Sequence, residues 1–460
     1  MFWIFAATVW VGLRQQLYWI SRSRLEDVCW RRDVMIRLYA AATVLALPLV
    51  RLIMWRRLKQ GKEDGQRLGE RFGLASAPRP IGPIIWVHAA SVGETVSVMP
   101  LVGRLLADFP LASVLITTVT RSSAEMLEKD LSDRLLHQFV PIDRPGEINS
   151  FLDYWNPDAA IWIESELWPN LLTAAQGRGV PSVLVQGRIS EKSFRRWWFL
   201  RALVRPLLAG FSRVLVQTAG DADRFRTLGA LEPVVTGTLK YSSPPLKINK
   251  IKLAQINSRL ENRSCWVAAS VHPGEFSMLC EAHAVLRERF PNLLTIIVPR
   301  HPIAGASIEK TLLDSGILVA VRSREEEITE ETEIYIGDSF GELGIFYDIC
   351  PIAFIGGSLI PHGGQNPLEA IRLGCVAVVG PHMFNFSQIV SDLASGGALV
   401  SVGSGVSLAH EISKFLESPE ILRELFSKQK AVVSARDSVL DDVYARVVEA
   451  IPESIRLSWS

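Results

Sequence analysis

The sequence predicts an α/β protein with two doubly wound parallel-sheet domains of similar size. From Pro83 onward, short β-branched runs alternate with amphipathic helical stretches, which is typical of sheets built from βαβ units. Residues 242–252, rich in turn formers and charges, interrupt this alternation once, and the same pattern then restarts. The 460 residues suffice for two or three domains at roughly 100–200 residues each.

Each half of the chain contains seven strand candidates. The predicted strands are residues 84–87, 113–119, 138–141, 159–164, 182–186, 213–217, 234–236, 265–269, 293–298, 317–321, 333–337, 352–355, 376–379 and 398–401. The predicted helices are residues 121–134, 147–155, 167–178, 221–228, 275–289, 341–349, 366–374, 385–396 and 407–416. Ligands of open α/β sheets bind beyond the carboxyl ends of the strands, so we expect two Rossmann-like domains facing a central cleft.

The same pattern predicts the domain boundaries. They are residues 1–34, an extension of uncertain status; 35–60, a membrane anchor; 61–241, the N-terminal domain; 242–252, a linker; 253–420, the C-terminal domain; and 421–460, a helical segment packing back on the N-terminal domain.

Composition argues against several classes of protein. With a net charge of +1 and no dominant basic stripe, the chain is not expected to bind nucleic acid. The five cysteines are odd in number, scattered and never in C-x-x-C spacing, which indicates neither a disulfide framework nor a zinc site. A reducing, cytoplasmic environment therefore fits the bulk of the chain.

The N-terminal region predicts a membrane-anchor helix. Residues 38–50 are apolar except for Thr43, are bracketed by Arg37 and Arg51, and precede a cationic flank at residues 56–59. The run is shorter than the roughly 20 residues needed to span a bilayer, so both a spanning and an interfacial helix stay open. The cations favour the cytoplasmic face. A signal peptide is a weaker alternative because no small-residue cleavage site follows.

Glu94 is the most informative residue of the first half. The apolar strand at residues 84–87 continues through small residues to this carboxylate, which falls where a helix begins. Unpaired N–H groups at a helix start, together with Ser91 and Gly93, allow close approach of a substrate, so Glu94 is a candidate catalytic base. The alternative is that Glu94 only complements the helix dipole.

Further charged residues follow other strands of the first half. Glu164 ends an apolar run and is costly to bury unless it pairs with a cation or holds a substrate group. An N-cap arrangement, in which Ser165 and Glu166 start a helix at Leu167, explains Glu166 comfortably and Glu164 less well. Arg188 and Lys240 each follow a strand on the same predicted edge as Glu94, although either alone is also consistent with a surface charge.

In the second half, His272 and Arg300 follow successive strands. The guanidinium of Arg300 suits a phosphate or carboxylate because it presents a fixed fork of donors. His272 and His301 lack a third ligand at a sensible spacing, which favours contacts with phosphate or a base over a metal.

A glycine-rich turn follows the strand at residues 352–355. Gly356 and Gly357 there, with a second pair at Gly363 and Gly364, are suited to an anion nest of backbone N–H groups, although either glycine pair alone can simply make a turn. Asn366, with Pro367 at the first helical position, predicts a capped helix start directed at phosphate. Glu369, one turn into that helix, is placed to accept hydrogen bonds from ribose hydroxyls.

No G-x-G-x-x-G follows a strand, and no G-x-x-x-x-G-K-[ST] is present, which argues against a dehydrogenase and an NTPase. A nucleotide held by the second domain and a carboxylate offered by the first is instead the plan of a GT-B glycosyltransferase. Six ordered motifs resemble more closely the 3-deoxy-D-manno-octulosonic acid (Kdo) transferases that act on lipid A precursors. They are WVHAASVGE at 86–94, ESELWPN at 164–170, ASVHPGE at 269–275, VPRHP at 298–302, GGSL at 356–359 and NPLE at 366–369.

The resemblance implies an inverting GT-B enzyme of the inner membrane, with its catalytic domains on the cytoplasmic face and with neither metal nor cofactor. It moves Kdo from CMP-Kdo to the 6'-hydroxyl of a tetraacyl-disaccharide 1,4'-bisphosphate lipid A precursor in lipopolysaccharide biosynthesis. Residues 61–241 then bind the acceptor and residues 253–420 bind CMP-Kdo. Glu94 is the base, and Glu164 and Lys240 stabilise the transition state. The substrate-binding residues are Ser91, Gly93, Arg188, His272, Pro299, Arg300, Gly341, Glu342, Gly356, Gly357, Asn366, Pro367, Leu368 and Glu369.

The chain departs from the family pattern in two places. It has Gln186-Gly187-Arg188 where Asn-Ala-Arg is common, and Gly237-Thr238-Leu239-Lys240 where Gly-Asn-x-Lys is usual. The cations remain, whereas positioning by the Asn side chains is lost. Two other functions stay open: a non-catalytic, membrane-tethered sugar-nucleotide-binding protein, and a GT-B transferase or epimerase that uses a UDP-sugar.

Overall fold

The computed structural model describes residues 26–260 and 263–459, with side chains from residue 34 onward. These residues form two compact units. The first contains the described parts of Met1–Val98, Val102–Val235 and Tyr444–Ser460, and the second contains Met99–Leu101 and the described parts of Thr236–Val443. Most of the predicted extension at residues 1–34 lies outside the described residues.

Each unit is built on a parallel seven-stranded sheet. The first sheet has the order β3-β2-β1-β4-β5-β6-β7 and contains β1 (Ile84–His88), β2 (Ser113–Thr118), β3 (Leu135–Phe139), β4 (Ala159–Ile163), β5 (Ser182–Gly187), β6 (Arg213–Val216) and β7 (Val234–Val235). The second has the order β10-β11-β9-β8-β12-β13-β14 and contains β8 (Cys265–Val271), β9 (Leu294–Pro299), β10 (Val319–Val321), β11 (Ile334–Ile336), β12 (Ile352–Ile355), β13 (Val376–Val379) and β14 (Val400–Ser401). Every predicted strand overlaps an observed one, because buried parallel strands appear in sequence as nearly continuous apolar runs.

Helices connect these strands. They are α1 (Glu26–Leu45), α2 (Leu47–Lys59), α3 (Val92–Asp108), α4 (Arg121–Leu127), α5 (Pro145–Trp155), α6 (Pro169–Gly177), α7 (Glu191–Phe199), α8 (Arg201–Ala209), α9 (Ala219–Leu228), α10 (Lys250–Leu260), α11 (Phe276–Arg289), α12 (Gly305–Asp314), α13 (Leu343–Ile349), α14 (Pro367–Arg372), α15 (Ser387–Ser395), α16 (Gly405–Glu417), α17 (Pro419–Ser434), α18 (Val439–Ala450) and α19 (Glu453–Arg456). The predicted helix at 121–134 ends early, at Leu127. Helices α8, α10 and α12 were not predicted, and α8 contains Pro206 in its interior.

The central strands of both sheets are held by the same contact. The indole N–H of Trp86 on β1 donates to Thr117 Oγ1 on β2 at 2.9 Å. The indole N–H of Trp266 on β8 donates to Thr295 Oγ1 on β9 at 3.0 Å. Both indoles are fully buried, and a buried indole N–H left without an acceptor would destabilise the fold.

The order of strands reverses beside these central strands. β1 lies between β2 and β4, and β8 lies between β9 and β12. Such a topological switch point forms a crevice at the carboxyl ends of the strands, where ligands of this fold class bind. The loops that carry Glu94 and Glu164 follow β1 and β4, and those that carry His272 and Gly356 follow β8 and β12.

The predicted linker at residues 242–252 belongs to the second unit. The guanidinium of Arg372 donates to the backbone carbonyls of Tyr241 and Ser243. Leu246 and Ile248 pack against the core of the second sheet. The turn formers and charges predicted a linker, and the structure shows that this segment also makes these contacts with the second unit.

The C-terminal segment, predicted to pack on the N-terminal domain from residue 421, is divided between the two units at residue 444. Helix α17 lies in the second unit, where the buried amide of Gln429 bonds the backbone N–H and carbonyl of Ala377, both at 2.9 Å. Only residues from Tyr444 onward belong to the first unit. There the N–H of Leu111 donates to the carbonyl of Trp459 at 3.1 Å. The return to the first unit therefore begins near 444 rather than at 421.

The predicted anchor at residues 35–60 forms two helices, α1 and α2. Among the residues described, no single helix is long and apolar enough to cross a membrane, whereas Val34–Leu45 and Leu47–Lys59, bent by 57°, meet that test together by length and composition. One side of α1 is fixed to the first unit. The Tyr39 hydroxyl donates to Asp143 Oδ2 at 2.9 Å, and the Asn170 amide donates to Thr43 Oγ1 at 3.0 Å.

Candidate active site

Glu94 lies in the first turn of α3, directly beyond the carboxyl end of β1. Ser91 caps this helix, and its hydroxyl donates to Glu94 Oε1 at 2.9 Å. The N–H of Ala90 donates to Glu94 Oε2 at 2.8 Å. The carboxylate is thus held at the helix start by two donors from its own loop, which keeps it fixed in orientation.

The environment of Glu94 favours its protonated form. Burial raises the pKa of this carboxyl to about 8, and the negative charges of Glu164 and Glu166 act in the same direction. The hydrogen bonds from Ala90 and Ser91 oppose the shift without cancelling it. A carboxyl group with a pKa in this range is suited to accept and return a proton near neutral pH.

The segment after β4 brings two more carboxylates to this edge. Glu164 has a φ of +58°, a left-handed conformation that is strained for a residue with a side chain. Helix α6 begins only at Pro169, with Trp168 as its N-cap and no side-chain cap. The N-cap interpretation of Glu166 is therefore wrong. Its carboxylate instead accepts the indole N–H of Trp168 at 2.6 Å, and burial raises the pKa of Glu166.

Gly93 and Arg188 also lie at this edge of the first unit. A Cβ added to Gly93 would meet no protein atom within 4 Å, so packing does not require glycine there, which agrees with close approach of a ligand. Arg188 follows β5 directly and is half-buried. The structure thus gathers Ser91, Gly93, Glu94, Glu164 and Arg188 at the carboxyl edge of one sheet, as predicted.

In the second unit, the predicted helix start at Asn366 is confirmed. Asn366 caps α14 by accepting the N–H of Leu368 at 3.1 Å, and Pro367 occupies the first turn. Burial raises the pKa of Glu369, while Asn366 and the positive charge of Arg300 oppose this shift. Arg300 follows Pro299, the last residue of β9, and its side chain is exposed. The positive charge of Arg300 therefore acts on the carboxyl group of this helix.

The predicted anion nest is wrong in one respect, because a side chain of the protein fills it. The N–H groups of Gly357, Ser358 and Leu359 donate to the carboxylate of Glu275 at 2.6, 3.0 and 3.0 Å. Glu275 also accepts the N–H of His272 at 3.0 Å and is fully buried. Gly356 is needed for close packing, since a Cβ there would lie 2.5 Å from the carbonyl oxygen of Ser270. Gly356 and Gly357 thus shape the site without offering these N–H groups to a ligand.

Two further predicted residues are committed to contacts within the second unit. Glu342, preceded by Gly341 at a φ of +75°, pairs with Arg322 at 2.7 Å and with Lys252. Burial would raise the pKa of Glu342, but hydrogen bonds from Arg322, Lys252 and Ser339 lower it to about 2. The ammonium of Lys240 donates to the carbonyl of Asn385 at 2.8 Å. Lys240 thus lies at the second unit, not the first as predicted.

Sequence reasoning missed three residues that lie near the candidate site residues at the carboxyl ends of the two sheets. His88, the last residue of β1, lies with its Nε2 at 3.9 Å from Glu166. Glu275 was seen only as part of a motif. The ring of His362 lies 3.8 Å from that of His272, which together with burial lowers the pKa of His272. The local sequence carries no signal for these contacts, because their partners come from segments that follow other strands. Within the described part of the chain, no cluster of three His, Cys, Asp or Glu side chains is placed to hold a metal ion.

Comparison with known proteins shows the family to which the chain belongs. Residues 66–243 match the family model described as 3-deoxy-D-manno-octulosonic-acid transferase (kdotransferase). A probable mitochondrial Kdo transferase of Arabidopsis thaliana is 38% identical over 88% of this chain and 93% of its own length. The Kdo transferase of Haemophilus influenzae is 34% identical over 83% of this chain and 91% of its own length.

Solved structures establish the fold class. A glycosyltransferase from Rickettsia africae matches with a TM-score of 0.55 and 12% identity, over 80% of this chain and 99% of that one. A UDP-GlcNAc 2-epimerase from Neisseria meningitidis also gives a TM-score of 0.55, at 13% identity, over 80% of this chain and 100% of that one. At such identities the likeness concerns the GT-B fold alone. Taken with the sequence relatives, these matches make the chain a glycosyltransferase that belongs to the Kdo transferase family.

Proposed function

We propose that the protein is an inverting glycosyltransferase that moves Kdo from CMP-Kdo to the 6'-hydroxyl of a tetraacyl-disaccharide 1,4'-bisphosphate lipid A precursor. The observation that carries this proposal is Glu94, a buried carboxylate with a pKa raised to about 8 at the switch point of the first sheet. Membership of the Kdo transferase family supports the sugar that is transferred.

In the proposed reaction, Glu94 accepts the proton of the acceptor hydroxyl while the hydroxyl oxygen attacks the anomeric carbon of Kdo. The bond between this carbon and the phosphate oxygen breaks, and CMP leaves with the electron pair. A single displacement inverts the anomeric centre and needs no carboxylate nucleophile. Glu164 and Lys240 are proposed to stabilise the transition state, and no metal or cofactor takes part.

The second unit is proposed to recognise the donor. Arg300 and His272 contact the phosphate, where negative charge accumulates as CMP leaves. The Asn366 amide can donate to or accept from the nucleoside, and the Glu369 carboxylate accepts hydrogen bonds from the ribose hydroxyls. The N–H groups after Gly356 are excluded from this role because Glu275 occupies them.

Transfer is tested with purified protein, CMP-Kdo and the lipid acceptor, with the product mass as the readout. We expect an acceptor heavier by one or more Kdo residues, and none of this product when CMP-Kdo is replaced by a UDP-sugar. Thermal stabilisation by UDP-sugars, with no response to CMP, would instead favour a UDP-sugar enzyme. CMP-Kdo binding without any product would favour a non-catalytic binding protein.

The first unit is also proposed to dock on the cytoplasmic face of the inner membrane. Helices α1 and α2 expose Leu45 at 81% and Trp55 at 51% beside a cationic flank. Helix α7 exposes Phe199 at 75% and Trp198 at 41%. It is joined through Leu200 to α8, which packs against α1. Exposed aromatic and basic residues favour the interface of an anionic bilayer, where the acyl chains of the acceptor reside.

Replacing both aromatics of α7, Trp198→Ser with Phe199→Ser, is expected to weaken binding to phosphatidylglycerol vesicles by about 10-fold or more, because two exposed aromatic side chains no longer enter the interface. Vesicle sedimentation measures this loss. Leu231→Ser is the control, since Leu231 is 65% exposed in the loop between α9 and β7. Equal binding of the double variant and the wild type would contradict docking through α7.

A further inference from the structure

A buried ion pair lies at the carboxyl edge of the first sheet. Arg71, in the short 3-10 helix Leu68–Phe72, donates through Nε and Nη2 to Glu63 Oε2 at 3.1 and 3.0 Å. The other oxygen of Glu63 accepts Nε of Arg57, on α2, at 2.6 Å. Arg71 and Glu63 are each only 4% exposed. A buried charge is strongly destabilising without its partner, so the carboxylate of Glu63 holds the guanidinium in place.

The guanidinium of Arg71 also bonds the backbone where β2 and β3 end. Its Nη2 donates to the carbonyl of Val119 at 2.5 Å, and its Nη1 donates to the carbonyl of Val140 at 3.3 Å. Val119 directly follows β2, and Val140 directly follows β3. The guanidinium carbon lies 4.5 Å from the centre of the Phe139 ring. Arg71 thus ties together the ends of two neighbouring strands.

The backbone of Val119 connects Arg71 to the loop of Glu94. The N–H of Val119 donates to the carbonyl of Ala90 at 3.1 Å. The N–H of Ala90 in turn donates to Glu94 Oε2 at 2.8 Å. A continuous series of hydrogen bonds, none longer than 3.1 Å, therefore leads from Glu63 through Arg71, Val119 and Ala90 to the carboxylate of Glu94.

We propose that Arg71, clamped by Glu63, is a positioning residue for the Glu94 carboxylate, because it holds the backbone of Val119 and thereby the N–H of Ala90. This inference rests on the proposed role of Glu94 as the base. A base must lie within hydrogen-bond reach of the acceptor hydroxyl, so a displacement of roughly 1 Å slows transfer. Arg71 is buried and acts through the backbone, not through contact with a substrate.

Arg71→Lys tests the proposal, because lysine keeps the positive charge beside Glu63 but lacks the planar fork that reaches Val119 and Val140 as well. We expect kcat for transfer to fall by about 10-fold to 100-fold. The KM values of donor and acceptor should stay within about 3-fold of those of the wild type, because the misplaced carboxylate is needed in the transition state and not for binding.

The pH dependence of kcat/KM gives a second readout. In the wild type, activity should rise with pH through an inflection near 8, since only the unprotonated Glu94 accepts a proton. The bonds from Ala90 and Ser91 lower the pKa of this carboxyl, against the effects of burial and of the charges of Glu164 and Glu166. A weaker bond from Ala90 disfavours the carboxylate, so Arg71→Lys should move the inflection to higher pH.

Arg134 supplies a matched control at the opposite edge of the same sheet. Its guanidinium donates to the carbonyls of Leu106, Phe109 and Ala112 at 2.8, 2.7 and 3.0 Å. Ala112 and Arg134 directly precede β2 and β3, so this cluster lies at the amino ends of the two strands. Arg134→Lys is expected to lower the Tm, because carbonyls lose their donor, but to leave kcat and the inflection unchanged.

Amide hydrogen exchange supplies a readout that needs no turnover. In Arg71→Lys, the amides of Ala90 and Val119 should exchange about 10-fold faster or more, because the bonds that protect them are weakened. Glu63→Gln keeps the shape of its side chain but loses the charge that clamps Arg71. This second variant should speed exchange at the same two amides by a smaller factor, and it tests the proposal even if Arg71→Lys does not fold.

Unchanged exchange at Ala90 and Val119 in the folded variants would overturn the inference even if the wild type transfers Kdo. Equal losses of kcat in Arg71→Lys and Arg134→Lys would overturn it too, because they would reflect lost stability alone. Conversely, no transfer by the wild type together with faster exchange in Arg71→Lys would refute the proposed function and leave the connection between Arg71 and Glu94 intact.

Discussion

Glu94→Gln is expected to lower kcat for transfer by about 100-fold to 10,000-fold, the usual contribution of a general base. The amide is isosteric with the carboxyl group. Its oxygen can accept the N–H of Ala90 and its NH2 group can donate to the Ser91 hydroxyl, but it cannot take a proton from the acceptor hydroxyl. Because the pKa of Glu94 is raised to about 8, the neutral amide also resembles the protonated form that predominates at neutral pH, so folding should be preserved.

Donor binding is expected to survive this substitution, since the proposed donor residues lie in the second unit. Turnover is measured by product mass and donor binding by thermal stabilisation with CMP-Kdo. The exposed carboxylate variant Glu125→Gln serves as the matched control. Wild-type-like turnover in purified Glu94→Gln protein would remove Glu94 from the mechanism.

Glu275→Ala is expected to destabilise the second unit by about 3–5 kcal/mol, because it removes the acceptor from a set of buried donors. The four N–H groups concerned belong to His272, Gly357, Ser358 and Leu359, and the carboxylate that accepts from them is fully buried. Glu275→Gln keeps one acceptor oxygen, so it should destabilise the second unit less than Glu275→Ala does. Urea unfolding followed at several pH values measures both effects.

The same variants separate a structural carboxylate from a ligand contact. If Glu275 organises the turn after β12, Glu275→Ala should lower the free energy of unfolding and also reduce the increase in Tm that CMP produces. Glu288→Ala, exposed on the same helix α11, is expected to change stability by no more than about 0.5 kcal/mol. Full stability in Glu275→Ala would show that this turn does not depend on the carboxylate.

Glu94 and Glu275 show where sequence reasoning reaches its limit. Each follows a central strand and an Ala-Ser-Val run, and each lies at the start of a helix. In the structure Glu94 accepts two hydrogen bonds, both from its own loop, whereas Glu275 accepts four backbone N–H groups. The first carboxylate keeps capacity to accept a proton, and the second is saturated. The motif alone does not distinguish the base from the structural residue.

A similar limit applies to Glu166 and to the linker. The pattern after β4 allowed an N-cap for Glu166, but the helix begins at Pro169 and the carboxylate faces Trp168 and His88. The composition of residues 242–252 predicted a linker, but did not indicate that Arg372, far along the chain, holds its start. In each case the deciding partner is remote in sequence.

The sequence by itself determined the α/β class, the fourteen strands, the capped helix at Asn366 and the family, because apolar periodicity, capping residues and ordered motifs are local properties. Only the tertiary structure decided that Glu275 fills the turn at Gly357, that Glu342 is neutralised by Arg322, and that Lys240 belongs to the second unit. These outcomes depend on contacts between residues such as Glu275 and Gly357, which are 82 positions apart. Burial and hydrogen bonding with remote partners, rather than residue type, set the charge and availability of each side chain.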